Sequence, residues 1–265
     1  DIPIDHVDGV GLMRTEFLFG RAQALPNEEI QFFAYQKVLK WAGNKPVTIR
    51  TVDAGGDKPV AGFTEEESNP FLGVRGIRLA LKNLDIFRVQ IRALLRAGVF
   101  RKLKVMLPMV STPTELADTR VLFEQEADAL AKSGQEFTMP ELGIMVEVPS
   151  VAILPEVFSE ANYFSIGSND LTQNVMTASR DNGSLSYLAR ADDPAVMHLI
   201  KHVAVCGQQS GRDVSLCGDA ASDPEIVPKL LNAGLRTLSV AASRIGQIKA
   251  AISKVDLKTA DINKK

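Results

Sequence analysis

Four arginines stand where a parallel-sheet protein would place groups that bind an anion. Arg14 in GLMRTEFLF and Arg50 in RTVDAGGDK each end a short apolar run, and Arg75 in NPFLGVRGIR and Arg180 in ASRDNG follow along the chain. Guanidinium groups match carboxylate and phosphate oxygens with paired hydrogen bonds. A lone arginine is usually a surface or salt-bridging residue, but two that directly end buried strands favour an anion site.

The loop that follows Arg50 has a composition suited to phosphate. Gly55 and Gly56 permit positive φ and a close approach of the backbone to a ligand, and Lys58 adds a point charge. A Gly-Gly pair by itself usually marks an ordinary turn. Its position after a strand-ending arginine favours the functional interpretation.

Two carboxylates also end apolar runs, namely Glu147 in GIMVEVP and Asp170 in FSIGSNDLTQ. Mg2+ favours sites with one or two carboxylates, some water and substrate oxygens, so these two side chains could hold one ion. The structural alternative is a pair of salt bridges or a helix cap, because Asp170 also stands before a helix-like stretch. The pattern favours the metal site.

The chain has two cysteines, and only one of them stands in a chemically suggestive place. Cys217 ends the run SLCG, where a thiol with an ordinary pKa of ~8.5 could act as a general acid toward carbon. A small buried hydrophobe is the equally good alternative from spacing alone. Cys206 falls in the middle of a helical segment and receives no role. Without a CxxC pair, neither a disulfide framework nor a structural zinc site is indicated.

Seven short apolar runs alternate with amphipathic segments, which is typical of a parallel sheet with crossover helices. The runs are Gly9 to Thr15, Val47 to Asp53, Lys104 to Val110, Leu142 to Val148, Tyr163 to Gly167, Asp213 to Gly218 and Thr237 to Ala242. The helical segments are Asn27 to Ala42, a double segment Gly73 to Ala97, Pro113 to Lys132, Pro194 to Gly211, Asp223 to Ala233 and Ser243 to Lys254.

This alternation predicts an α/β fold, specifically a (β/α)8 TIM barrel that forms one domain over residues 1–265. The length of 265 residues is close to the ~250 typical of such a barrel. Seven strands are counted where eight are needed, so we expect the first strand to lie upstream of Asp1. An open doubly wound sheet is the competing architecture. The barrel is favoured because every candidate functional residue directly follows a strand.

Composition excludes several classes of function. Charged residues make up 23% of the chain with both signs interspersed, and the formal net charge is −2. Such a surface lacks the broad positive field that nucleic acids and anionic lipids require. No apolar stretch approaches the ~20 residues of a membrane span, and no signal peptide is recognised. We therefore expect a cytoplasmic protein without nucleic-acid binding or membrane insertion.

Histidines offer no obvious phosphoryl acceptor. His6 lies near the start of the sequence, and His198 and His202 are four residues apart in a helical segment. That spacing can hold zinc only with a third ligand, which is not evident. None of the three lies in a glycine-rich or serine-preceded loop suited to presenting an imidazole to a phosphoryl group.

The motifs GLMRTEFLF, RTVDAGGDK, NPFLGVRGIR, GIMVEVP, FSIGSNDLTQ and SLCGDAA occur in this order between Gly9 and Ser243. Together they closely resemble the C-terminal domain of Enzyme I, the phosphoenolpyruvate-protein phosphotransferase of the bacterial sugar phosphotransferase system. Pyruvate phosphate dikinase and phosphoenolpyruvate synthase have the same general arrangement of motifs. The residues of the first and third motifs, however, resemble Enzyme I and not these two relatives.

The resemblance implies a site for phosphoenolpyruvate and Mg2+. Cys217 would protonate the enolate carbon, and Glu147 and Asp170 would bind Mg2+. The residues implied to bind the substrate are Arg14, Arg50, Lys58, Asn69, Arg75, Asn169, Asp170 and Arg180. One departure concerns Asp219, because the family commonly has glutamate after Cys-Gly, and this leaves the role of Asp219 open.

The resemblance also implies partners. The phosphoryl group would pass to a histidine on a separate N-terminal domain that this chain does not include, and then to the histidine-containing phosphocarrier protein. The chain alone should therefore bind substrate without turnover, and a homodimer is expected. Two alternatives remain: a Mg2+-dependent pyruvate-handling lyase or aldolase, and a non-catalytic phosphoenolpyruvate-sensing dimerisation module.

Overall fold

The computed structural model describes residues 3–20, 25–56, 58–179 and 181–257. Within these residues, strands and helices alternate along the chain, and seven strands are present. The chain divides into two compact units, the first ending at Ile144 and the second beginning at Met145. Strand β4 carries the chain from one unit to the other, because it contains both of these residues.

The first unit contains the strands β1 to β4 and five helices. Its elements are β1 (Val10–Met13), α1 (Glu16–Phe19), α2 (Glu28–Ala42), β2 (Val47–Arg50), α3 (Ile77–Lys82), α4 (Leu84–Gly98), β3 (Leu103–Leu107), α5 (Pro113–Lys132) and β4 (Glu141–Val146). The strands are parallel and follow chain order, with β2 paired between β1 and β3, and β3 paired also with β4. All four residues of β2 are buried, as expected for a central strand covered on both faces.

The boundaries of the long helices follow local sequence signals. At the start of α2, the Asn27 side chain accepts a hydrogen bond from the Ile30 backbone N–H, and the helix ends at Gly43 with φ of 62°. At the start of α5, the Glu115 carboxylate accepts from the Thr112 backbone N–H at 2.9 Å. These caps explain why both helices begin within one residue of the predicted positions.

Arginines of α4 fasten this helix to its two neighbours. Arg92 lies 2.7 Å from Glu28 of α2 and 2.8 Å from Glu126 of α5, while Arg96 pairs with Glu28 and Arg88 with Glu126. Burial of Glu28 opposes its ionisation, but hydrogen bonds from Arg92 and Arg96 outweigh this effect and lower its pKa. These arginines have a structural role, because their ion pairs join three helices.

The second unit contains the strands β5 to β7. Its elements are α6 (Pro149–Ile153), β5 (Tyr163–Gly167), α7 (Ser168–Met176), α8 (Pro194–Ser210), β6 (Asp213–Cys217), α9 (Val227–Asn232), β7 (Thr237–Leu238) and α10 (Ile245–Ile252). Strand β6 pairs in parallel with both β5 and β7. Strand β5 is buried along its whole length.

The strand order bears on the choice between barrel and open sheet. A doubly wound sheet reverses its strand order near the middle, where its ligand binds. Here the order β1-β2-β3-β4 in the first unit and β5-β6-β7 in the second follows the chain without reversal. This order is that of a barrel. The expectations of one domain over residues 1–265 and of an upstream first strand stay predictions.

A membrane-spanning helix must be both long and apolar, and none of the described helices combines these two properties.

Candidate functional site

Three cationic side chains converge on the carboxylate of Asp53 in the first unit. The Arg75 guanidinium donates to both carboxylate oxygens, with Nε to Oδ1 and Nη2 to Oδ2 each at 3.1 Å. Lys58 Nζ lies 3.0 Å and Arg50 Nη2 3.2 Å from Oδ2. The structure thus brings together Arg50, Lys58 and Arg75, three of the residues singled out from the sequence. We call these three and Asp53 the Asp53 cluster.

A second carboxylate, that of Glu16, lies beside the cluster. It accepts from Arg50 Nη2 at 2.7 Å and from the Asp53 backbone N–H at 3.1 Å. Among the described contacts, three cations therefore share two carboxylates. Asp53 and Arg75 are 0% and 1% exposed, whereas the Lys58 side chain is 27% exposed. A group of cations that includes an accessible ammonium group suits an anionic ligand.

The pKa of Asp53 reflects this arrangement. Burial would raise it, but attraction by Arg50, then Arg75 and Lys58, outweighs burial and holds the pKa of this carboxyl well below its usual range. Asp53 is therefore ionised at neutral pH.

Two glycines let the loop after β2 close around the cluster. Gly55 and Lys58 exchange two backbone hydrogen bonds of 3.0 Å, and Gly55 has φ of 102°. A Cβ added at Gly55 would lie 2.8 Å from Arg75 Cβ and 2.9 Å from the Val74 carbonyl oxygen. Glycine at this position is thus required by both conformation and space, as the sequence suggested.

A chain of buried polar groups fixes the backbone beneath the cluster. Thr15 Oγ1 donates to the Arg50 carbonyl at 3.0 Å, and Gln90 Oε1 accepts from the Val52 N–H at 3.0 Å. Gln90 Nε2 in turn donates to the Tyr35 hydroxyl at 3.0 Å. These bonds tie the end of β2 to helices α2 and α4, so the cluster rests on rigid elements.

The remaining substrate residues expected in this part of the chain are exposed. Arg14 follows β1, and Asn69 precedes a single 3-10 turn. Neither side chain forms an ion pair or a hydrogen bond with the described residues. Arg180 lies outside the described residues.

In the second unit, the two predicted metal ligands occupy buried positions after strands. Glu147 follows β4 and is fully buried, and its carbonyl accepts from Asn174 Nδ2 at 2.9 Å. A Cβ added at Gly167 would lie 3.1 Å from Glu147 Oε2, so the carboxylate occupies space that a side chain would fill. Asp170 lies within the first turn of α7 rather than before the helix, and is 8% exposed.

Glu147 and Asp170 both offer carboxylate oxygens, the ligand type that Mg2+ prefers. Among the described residues, no group of three or more His, Cys, Asp or Glu side chains could hold a metal ion. If these two carboxylates held Mg2+, water and substrate oxygens would complete its octahedron.

A hydrogen-bonded clasp joins the start of α7 to the end of β6. Asn169 Nδ2 donates to Asp219 Oδ2 at 3.0 Å, and the Asp219 N–H donates to Asn169 Oδ1 at 2.9 Å. Ser168 Oγ donates to the Cys217 carbonyl at 2.9 Å. Although Asp219 is shorter than the glutamate common in the family, its side chain still reaches Asn169.

Cys217 is the last residue of β6 and lies opposite Gly167 in the β5–β6 ladder. Its residue is 4% exposed. Cys206, by contrast, lies half-buried on α8, and burial together with the nearby Glu156 raises the pKa of its thiol. Only Cys217 shares the carboxyl ends of strands with the other candidate residues of the second unit.

Sequence reasoning missed Asp53 and Glu16. Both acids stand in quoted motifs, Glu16 two residues after Arg14 and Asp53 three residues after Arg50. The available signal was the spacing of Arg50 and Asp53, which lets the two side chains meet just after a strand. The cations were selected by their charge, and the carboxylate to which they bind was not considered.

Parallel strands in chain order, with ionic and hydrogen-bonded groups at their carboxyl ends, define a domain of the α/β barrel class. Two solved structures share the fold. A citrate lyase from Burkholderia xenovorans LB400 matches with a TM-score of 0.55 at 14% identity, covering 87% of this chain and 65% of that one. The Haloferax volcanii malate synthase magnesium/glyoxylate complex matches with a TM-score of 0.55 at 11% identity, covering 90% and 61%. The predicted fold class is confirmed.

The sequence comparisons identify the family. Residues 4–257 match the family described as PEP-utilising enzyme, PEP-binding domain, and the chain belongs to it. Proteins named phosphoenolpyruvate-protein phosphotransferase are 42% identical over 251 residues in Geobacillus stearothermophilus and 46% identical over 241 residues in Staphylococcus carnosus (strain TM300). These alignments cover 94% and 90% of this chain, but 43% and 42% of the relatives. The chain thus spans less than half the length of these relatives.

Proposed function

We propose that this chain is the substrate-binding domain of an Enzyme I type phosphotransferase. It binds phosphoenolpyruvate with Mg2+ and supports transfer of the phosphoryl group to a histidine on another domain, with release of pyruvate. The observation that carries the proposal is the Asp53 cluster, in which three cations share one buried carboxylate directly after a strand. The relatives named phosphoenolpyruvate-protein phosphotransferase support the choice of substrate.

Charge and hydrogen bonding would bind the phosphate and carboxylate of the substrate. Arg50 and Arg75 offer guanidinium groups on a fixed frame, and Lys58 offers an accessible ammonium group. Arg14 and Arg180 would also contact the substrate, and the Asn69 amide would line the phosphate side. A phosphate ester uses all of these cations. A pyruvate-handling lyase or aldolase needs fewer of them, so the cluster favours phosphoryl transfer.

Glu147 and Asp170 would hold Mg2+. When bound, this ion would neutralise negative charge on the substrate oxygens. Its supporting observation is the burial of the Glu147 carboxylate against Gly167, which leaves a hard oxygen ligand in a site of low dielectric. Asn169 and the Asp170 backbone would orient the substrate.

Phosphoryl transfer would leave an enolate that needs one proton. The bond between phosphorus and the enol oxygen breaks as phosphorus bonds the incoming imidazole nitrogen, and the electron pair of the broken bond stays on that oxygen. As the carbonyl forms, the terminal carbon takes the proton of the Cys217 thiol, and pyruvate results. The strand-end position of Cys217 supports this assignment.

The proposal extends to the partners of the parent enzyme. The acceptor histidine would pass its phosphoryl group to a histidine-containing phosphocarrier protein, and two copies of the parent would form a homodimer. A cytoplasmic location fits a family that uses a soluble metabolite as phosphoryl donor.

The proposal is tested by calorimetric titration of the chain with phosphoenolpyruvate, with and without Mg2+. We expect saturable binding that Mg2+ strengthens. Glu147→Gln should weaken binding in the presence of Mg2+ by about tenfold or more, because a neutral amide is a poorer ligand for a hard cation. Glu141→Gln is the matched control, since Glu141 is the first residue of β4, at the opposite end from Glu147, and forms an ion pair with Lys104.

Three outcomes would count against the proposal. These are a folded chain that does not bind phosphoenolpyruvate, binding that Mg2+ leaves unchanged, and equal losses in the Glu147 and Glu141 variants. Pyruvate bound as tightly as phosphoenolpyruvate would favour the lyase alternative.

A further inference from the structure

We propose that Asp53 is a positioning residue, which holds Arg50, Lys58 and Arg75 in the arrangement that receives the substrate phosphate without touching the substrate itself. This inference rests on the function proposed above and assigns a role to a residue that the motifs left unexplained.

The geometry points to positioning because the Asp53 carboxylate already forms ion pairs with all three cations. Oδ1 accepts from Arg75 Nε, and Oδ2 lies within 3.2 Å of one nitrogen from each of Arg50, Lys58 and Arg75. The carboxylate is also fully buried and ionised. A buried anion surrounded in this way cannot bind an incoming phosphate, which carries the same sign of charge.

Asp53 holds the Arg75 guanidinium along one edge, because it engages both Nε and Nη2. Gly56 lies close to the same side chain: a Cβ added there would lie 3.5 Å from Arg75 Nη1 and 3.4 Å from Cδ. The carboxylate therefore fixes the plane of the guanidinium within a closely packed loop.

Asp53 also joins segments that are distant in sequence. Arg50 ends β2, Lys58 belongs to the loop after it, and Arg75 lies 22 residues from Asp53, two residues before the start of α3. Without the carboxylate, three like charges would repel one another and their long side chains would regain rotamer freedom. The phosphate would then have to order them on binding.

Charge and positioning predict opposite results for one substitution. Asp53→Asn removes a negative charge, so a site governed by net charge alone would bind an anion more tightly. A site governed by positioning would bind it more weakly. Asp53→Glu keeps the charge but displaces the carboxylate by one methylene, so only the positioning role predicts a loss. Because the glutamate variant leaves no cation without a carboxylate, it also serves if the asparagine variant fails to fold.

The experiment is calorimetric titration of the full chain and its variants with phosphoenolpyruvate and Mg2+. We expect Kd to rise roughly tenfold to a hundredfold in both Asp53 variants, as for a displacement of binding groups by about 1 Å. Glu65→Gln is the matched control, because Glu65 forms an exposed ion pair with Lys82 in the same stretch of chain. Unchanged or tighter binding by a folded Asp53→Asn or Asp53→Glu protein would overturn the inference.

A second measurement separates this inference from the proposed function. In the ligand-free chain, the Arg75 Nε–H should give a protected NMR signal that disappears in Asp53→Asn and persists in Glu65→Gln. If the wild-type chain does not bind phosphoenolpyruvate, the proposed function fails. Loss of the signal would then still support positioning of Arg75 by Asp53, and its persistence in Asp53→Asn would overturn it.

Discussion

Asn169 and Asp219 form a reciprocal pair in which each residue both donates and accepts. The Asn169 amide donates to the Asp219 carboxylate at 3.0 Å, and the Asp219 backbone N–H donates to the amide oxygen at 2.9 Å. The pair therefore fixes which end of the amide is the donor. These two bonds use only one of the two Nδ2 hydrogens of Asn169. Because they fix the plane of the amide, they also fix the direction of the other hydrogen.

Asp219→Ala should weaken binding of phosphoenolpyruvate through Asn169. We expect Kd to rise about threefold to tenfold, because the hydrogen bond that orients the Asn169 amide contributes about 1 kcal/mol. Calorimetric titration measures this change. Asp219→Glu should restore part of the affinity, because it keeps the acceptor. Asp223→Asn is the control, since the Asp223 side chain accepts a local hydrogen bond from the Glu225 backbone N–H. An unchanged Kd in Asp219→Ala would show that Asn169 is oriented without Asp219.

Gly218→Ala should destabilise the protein more than an ordinary left-handed glycine replacement. Gly218 has φ of 97°, and an added Cβ would lie 2.3 Å from Ser168 Oγ and 2.7 Å from Asn169 Oδ1. Gly134→Ala is the control, since Gly134 has φ of 72° and nothing within 4 Å of the added atom.

A residue with positive φ costs ~1–2 kcal/mol in Gly134→Ala. Gly218→Ala adds the clash to a backbone conformation, with φ of 97° and ψ of −174°, that is essentially restricted to glycine. Thermal unfolding should therefore show a larger fall in Tm for Gly218→Ala, together with weaker phosphoenolpyruvate binding. Equal falls in Tm would mean that Ser168 and Asn169 move aside at no cost.

Acid should destabilise the chain partly through Asp53. Its pKa is lower in the folded state than in the unfolded state, so its contribution to stability is complete above the unfolded pKa and is lost as pH falls through the folded pKa. Asp53→Asn should cost ~3–5 kcal/mol at neutral pH, because it removes one partner of a buried ionic network. In denaturant titrations, the free-energy difference between the two proteins should stay constant from neutral pH down to ~5 and narrow below ~4. A difference that is independent of pH down to 2 would contradict this linkage.

Cys217→Ala should separate binding from turnover. The variant should bind phosphoenolpyruvate within about twofold of wild type, while pyruvate formation with a histidine domain present should fall by about a hundredfold or more, as expected for loss of a general acid. Cys206→Ala is the control, because Cys206 lies on α8 and takes no part in the proposed chemistry. Pyruvate formation at the wild-type rate in Cys217→Ala would exclude the cysteine as proton donor.

The sequence predicted the strands well because each is a short apolar run bounded by polar residues. Strand β5 occupies the predicted residues Tyr163–Gly167, and α5 occupies Pro113–Lys132. Strand β7 is shorter than predicted, with Thr237–Leu238 in place of a run to Ala242. The apolar run continues there, but only its first two residues join the ladder with β6.

Short helices were not predicted, for a physical reason. Helices α1 and α6 have four and five residues, too few to show a helical period. Such short helices are stabilised by the packing around them rather than by their own sequence.

For the candidate site, the sequence identified cations and ligands but not their pairing. Arg50, Lys58 and Arg75 were selected for their charge and position, and the structure brings them to one carboxylate. The choice of Asp53 depends on the fold of the loop, since Arg75 reaches it from 22 residues away. The roles of the site residues, including Arg14, Asn69 and Arg180, stay predictions.

Two main-chain bonds between Gly55 and Lys58 close the loop after β2, in addition to the ion pair of the Lys58 side chain with Asp53. The main-chain bonds do not depend on which side chain stands at position 58. Replacement of Lys58 by arginine, glutamine or methionine would change the charge offered to a ligand while the frame stayed the same. Substitutions at position 58 could therefore change the affinity for an anionic ligand, and the dependence of that affinity on salt, in small steps. The backbone of the loop would not have to change.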